Sequence, residues 1–151
     1  MSFSTRAFDV QKLARQLLTS YGLDGWSFGF NRRKLQMGLC LFGPRHIELS
    51  VHFVELNDDA AVRDTLLHEI AHALVGPGHG HDSVWQAKCR EVGARPERLG
   101  WDVAMPIGRW QAICAGCGRL HHRHRKPKHM VGWHCSYCGR ERGRLTWTRA
   151  G

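Results

Sequence analysis

The sequence predicts an α+β fold, a small body of helices around one sheet followed by a compact cysteine-rich module. Three observations predict it. Apolar residues recur at helical spacing over 8–20 and 60–75, and they alternate or run in short blocks over 26–51. Charge and cysteine content then change sharply near residue 105. Residues 1–105 carry 12 Lys/Arg and 12 Asp/Glu, whereas residues 106–151 carry 10 Lys/Arg against the single acid Glu141 and hold four of the six cysteines. The expected division is therefore a neutral body over 1–105 and a basic module over 106–151.

The elements follow in order. Val10, Leu13, Ala14, Leu17 and Leu18 mark an N-terminal helix that stops near Gly22. Trp26–Phe30, Leu35–Phe42 and His46–Val51 read as three strands of a small antiparallel sheet, with Arg32-Arg33-Lys34 as a charged hairpin turn and Gly43-Pro44 as a second turn. Asn57-Asp58-Asp59 supplies capping groups for a helix from about Ala60 to Val75, which Gly76-Pro77-Gly78 ends. Its apolar residues surround it, as in a helix buried at the centre of a domain. A further helix capped by Asp82 or Ser83 runs to Val92, with Trp85, Cys89 and Val92 on one face. Ala94–Ile107, with Pro96, Gly100 and Pro106, reads as a connector. Cys40 and Cys89 fall at apolar positions and read as packed thiols.

At 151 residues and 42% hydrophobic content the chain can bury one sizeable core plus a small module. No stretch approaches the length of a membrane span, and the N-terminal Met1-Ser2-Phe3-Ser4-Thr5-Arg6 lacks the apolar core of a secretory signal. The expectation is a cytoplasmic monomer with reduced thiols and no membrane partner, associated with nucleoid or chromatin if the basic module finds its polyanion.

The chemistry concentrates in His68-Glu69-Ile70-Ala71-His72. On a helix this spacing sets two imidazoles one turn apart on one face, able to share a Zn²⁺, with the glutamate aimed at water on the metal. A zinc hydrolase site needs a third protein ligand, and His79 and His81 are both candidates beyond the glycine-proline turn. The metzincin spacing is excluded, because it requires Gly at 75 and His at 78, where this chain has Val75 and Gly78.

Cys114-Ala115-Gly116-Cys117 and Cys135-Ser136-Tyr137-Cys138, 17 residues apart, form two C-x₂-C knuckles, each followed by glycine. That pattern predicts a closed, structural Cys₄ zinc ribbon, in preference to two disulfides. Between and after the knuckles lie Arg119, Arg123, Arg125, Lys126, Lys128, Arg140, Arg142 and Arg144, interspersed with Trp110, Trp133, Tyr137 and Trp147. Cations with flat rings suit phosphate contact and base stacking, so the expected partner is DNA, single-stranded or distorted.

The body resembles the SprT-like metallopeptidases, which include the Spartan-type DNA–protein crosslink proteases. Their H-E-x-x-H is matched by His68–His72. Their following His-Gly-x-x-aromatic is matched by His81-Asp82-Ser83-Val84-Trp85, with Asp82 in place of the glycine. Trp26, Asn31, Gly38, Cys40, Ile47–Ser50 and Asp64–Leu67 are similar as well. The resemblance implies a zincin-like core and assigns the third ligand to His81, with His79 as the alternative. It also implies Glu69 as general base on a zinc-bound water. Two Zn²⁺ per chain are expected, one catalytic and one structural. The function implied is hydrolysis of DNA-associated or DNA-crosslinked proteins. The competing expectations are a catalytically inactive nucleic-acid-binding zinc-ribbon adaptor and a general intracellular metallopeptidase without a DNA role.

Overall fold

The structure, a computed structural model, describes residues 4–97 and 103–151. The chain divides into two compact units, Met1–Pro106 and Ile107–Gly151.

In the first unit, α1 (Thr5–Ser20) begins one turn earlier than the apolar spacing suggests, because Ser4 caps it through the amide of Ala7. It buries Ala7, Val10, Ala14, Leu17 and Leu18, an i, i+3, i+4 stripe. Three strands follow, β1 (Ser27–Asn31), β2 (Gly38–Leu41) and β3 (His46–Ser50). The sheet has the order β1-β3-β2 and is mixed rather than antiparallel. β3 pairs antiparallel with β2, Cys40 opposite Ile47, but parallel with β1, Phe28 opposite Ile47. Alternation marks the strands but says nothing of which lies beside which, so the hairpin expected at Arg32-Arg33-Lys34 does not form. That segment instead starts the connection that carries the chain to the opposite edge. The Ser50 hydroxyl holds it by donating to the Arg33 carbonyl oxygen, and the Ser50 amide donates to Met37.

A short helix, α2 (Val51–Leu56), follows β3 directly and was not expected. Six apolar-rich residues cannot be told from a strand continuation by periodicity alone. It buries Phe53 and Val54 completely. α3 (Asp59–Val75) is capped by Asp58, whose carboxylate accepts from Ala61, and every residue from Thr65 to Ala71 is buried. A helix enclosed on all sides is held by packing rather than by propensity, which makes it a rigid carrier for whatever it presents. α4 (Ser83–Val92) buries Trp85, Cys89 and Val92 against it. Beyond α4, Asn57 and the Ala104 backbone exchange two hydrogen bonds of 2.7 Å, tying the described end of the connector to this unit. The part of the predicted connector at 98–102, including Gly100, lies outside the described residues.

The second unit contains β4 (Trp110–Ile113), β5 (Leu120–Arg123), β6 (Trp133–His134), α5 (Gly139–Arg142), β7 (Arg144–Leu145) and β8 (Thr148–Arg149). β5-β4-β8 form one antiparallel sheet and β6-β7 a second. Its core consists of only Ala112, Cys114, Cys135, Leu145 and Trp147, with four further partly buried side chains packed on it. Among the described residues no helix is long and apolar enough to cross a membrane.

Candidate metal centres

α3 sets His68 and His72 one turn apart, and the loop before α4 brings His81 up to them. Nε2 of His81 lies 3.1 Å from Nε2 of His68 and 3.3 Å from Nε2 of His72. Burial, and then the neighbouring imidazoles, push His68 down to about 3 and His72 to about 4, so both rings are neutral at neutral pH. Converging neutral imidazole nitrogens suit a cation between them. The spacings also match the ~3.3 Å between nitrogens that share a tetrahedral ion at ~2.05 Å. The three donor atoms thus fit a bound metal.

The indole of Trp85 is the floor of this cluster. It is completely buried, lies nearly parallel to the His72 ring (22°), and has its centroid 4.5 Å from that of His68 and 4.6 Å from that of His81. Its Nε1 donates to the His68 carbonyl oxygen at 3.4 Å. The aromatic four residues after His81 is thus the surface on which all three rings rest. Asp82 caps α4 by accepting from the amides of Val84 and Trp85, and these bonds hold its carboxyl below its usual range. A capping carboxylate is a local reason for aspartate at this position. His79 stands apart from the cluster and pairs with Asp82, Nδ1 to Oδ2 at 3.0 Å.

Glu69 follows His68 on α3 and is 7% exposed; burial pushes its carboxyl up to about 8 in the metal-free protein. It lies against β2 in the wall of a cleft of about 430 Å³, whose lining includes Leu35, Gly38, Cys40, His68 and His81. Gly38 lets the strand pass the carboxylate. A Cβ built there would lie 2.7 Å from Glu69 Oε1 and 2.9 Å from its Cγ. A glycine inside a strand pattern signals some close approach, but spacing cannot say to what. Gly38→Ala should therefore lower stability by about 1–3 kcal/mol and displace Glu69, read as a drop in Tm and in turnover. Gly43→Ala, where nothing lies within 4 Å, is the control expected to change neither. Cys40 is half-buried, packed against the hydrophobic core and also lining the cleft, and burial, with the Glu69 charge, pushes its thiol up to about 12.

Compared with known proteins, residues 9–104, more than half of the chain, match the model of the SprT-like family. The chain belongs to the SprT-like family. This is a family of metallopeptidase type, and the match ends where the SprT-like body ends, before the cysteine module. No curated protein matches the chain.

In the second unit of this SprT-like protein, Cys114, Cys117, Cys135 and Cys138 bring their sulfurs together as a group that could hold a metal ion. All six cysteines of the chain are free in this structure. The knuckles repeat one geometry. Gly118 donates to the Cys114 carbonyl oxygen and Gly139 to that of Cys135, each at 2.9 Å, with φ of 71° and 70°. The left-handed backbone explains the glycine after each pair. Amides of Cys117 and Gly116 aimed at Cys114 Sγ pull that thiol down against desolvation, while hydrogen bonds to the neighbouring sulfurs of Cys117 and Cys114 push Cys138 up.

The eight basic residues singled out by sequence are all exposed, just before β5 (Arg119), on β5, in the loop after it, on α5 and on β7. Three of their neighbouring rings are covered by cations, Tyr137 by Arg119, Trp133 by Arg123 and Trp110 by Lys126, at 5.5, 5.0 and 5.8 Å. The tryptophans serve the module's own packing. Trp147 is 5% exposed, and Trp133 packs edge-on against it and donates Nε1 to His129. Tyr137, 78% exposed, is the most exposed of these four rings, with one face covered by Arg119.

Proposed function

We propose that this SprT-like protein is a zinc-dependent endopeptidase acting on DNA-associated or DNA-crosslinked proteins. The observation that carries the peptidase reading is the convergence of three imidazole Nε2 atoms beside a buried carboxylate at the wall of one cleft. Zn²⁺ held by His68, His72 and His81 would acidify water and polarise a carbonyl. Glu69 takes the proton from the attacking water and passes it to the leaving amine. β2 lies at the edge of its sheet, so an extended peptide can pair with its free backbone groups and be drawn past Glu69. His81 is the third ligand on this reading, since His79 is turned to Asp82. The four cysteines hold a structural ion.

The DNA reading rests on charge. The whole excess of +9 belongs to residues 106–151, where Arg119, Arg123, Arg125, Lys126, Lys128, Arg140, Arg142 and Arg144 are all exposed. Because all four rings are packed within the module or covered by a cation, phosphate contact is the main term, and Tyr137, exposed and covered only by Arg119, is the ring best placed to stack. The test is the salt dependence of binding to single-stranded DNA by the full chain. Each phosphate contact contributes about 0.7 to the slope of log K against log[salt]. Replacing Arg125, Lys126 and Lys128 by glutamine should flatten the slope by about 2 and reduce DNA-stimulated cleavage of a DNA-bound protein. Cleavage of a DNA-free peptide should persist. Activity indifferent to DNA and salt would make the protein a general peptidase instead.

A further inference from the structure

We propose that the Thr65 hydroxyl is a positioning group for His68, accepting the Nδ1–H of that imidazole and so holding its Nε2 lone pair toward His72 and His81. The inference rests on reading these three histidines as one metal site. Two buried side-chain atoms of α3 stand without a partner, Thr65 Oγ1 and His68 Nδ1. Thr65 is 1% exposed and His68 is 6% exposed, and both line the same cleft.

The two residues are three apart on one helix and are therefore neighbours on its surface. Helix side chains lean toward the N-terminus, which carries the His68 ring back over the turn that holds Thr65. A neutral imidazole has its proton on one nitrogen only. A proton on His68 Nε2 would point at His81 Nε2, 3.1 Å away, and would block that lone pair from any metal. The proton therefore belongs on Nδ1, where it needs an acceptor that water cannot supply. His72 is half-exposed and His81 exposed, so solvent can serve those rings. His68 alone depends on the protein. Threonine in a helix populates two χ1 wells, and rotation of the Thr65 hydroxyl between them is the movement that the contact requires.

The test compares the zinc-loaded full chain with Thr65→Val, which keeps the shape and removes the acceptor, and Thr65→Ser, which keeps the acceptor. Competition with a chromophoric chelator gives the zinc affinity of the histidine site, and the four-thiolate site is the internal control. Thr65→Val should weaken the histidine site by about 10–100-fold, the usual effect of losing the group that orients a metal-binding histidine, and Thr65→Ser should restore it. The His68 Nδ1–H resonance should exchange slowly with water in the wild type and in Thr65→Ser, and quickly in Thr65→Val. Wild-type affinity and unchanged exchange in Thr65→Val overturn the role of Thr65. A wild type that binds a single ion, at the cysteines, overturns the metal-site reading beneath it. If Thr65→Val does not fold, fast exchange of His68 Nδ1–H in the wild type is enough to reject the proposal.

Discussion

Replacing Glu69 with glutamine lowers turnover of a peptide substrate by about 10²–10⁴-fold, the usual contribution of a positioned general base, and leaves metal content unchanged. The amide keeps the shape that Gly38 accommodates but cannot take a proton. Retained cutting by Glu69→Gln would sink the mechanism. Stability supplies an independent check in the metal-stripped body, followed by its helical signal. Burial raises the Glu69 carboxyl from 4.5 to about 8, so between those values the folded state holds more protons than the unfolded, and stability falls as pH rises. His68 and His72, lowered from 6.5, have the opposite sign, adding stability as pH rises to 6.5 and nothing beyond. From pH 6.5 to 8 the glutamate is therefore the one of the three whose contribution changes. Urea unfolding should show wild type losing stability across that window and Glu69→Gln staying level.

Replacing Cys135 with serine unfolds the second unit while leaving the first intact. Cys135 is completely buried, and it and Cys114 are two of the five residues in that unit's buried core. A module this small lacks the apolar surface to fold alone, and a structural zinc site supplies on the order of 10–16 kcal/mol. The indole N–H resonances of Trp133 and Trp147 should collapse toward random-coil positions, and that of Trp85 in the first unit should stay dispersed. A chelator should act in the same way on wild type, and a reductant should not. Persistent dispersion of Trp147 in Cys135→Ser would mean that the core stands without the metal.

Much of this was legible along the chain because it depends on short-range spacing. His68 and His72 share a helix face by the geometry of the α-helix alone. The caps at Asp58 and Asp82, the stop at Gly76 and the glycines after each knuckle satisfy local backbone needs that any surrounding fold would impose. The three strands were visible as alternation, and the step in charge divided the sequence close to Pro106, where the contacts between residues divide it.

What depended on distant contacts was not legible. The parallel pairing of β1 with β3 arises because the chain crosses the sheet before returning, and hydropathy carries no record of that path. His79 and His81 lie on one glycine-rich turn, and which of them reaches His68 and His72 is settled by the turn's course and by the hydrogen bond that draws His79 to Asp82. Trp85 and Gly38 take their meaning from side chains 17 and 31 residues away, Trp85 as the floor beneath His68 and Gly38 as the gap for Glu69. The kind of chemistry was thus written in residue types and helical period, which are one-dimensional. The assembly of the site was not, because it depends on packing between segments that the sequence holds apart.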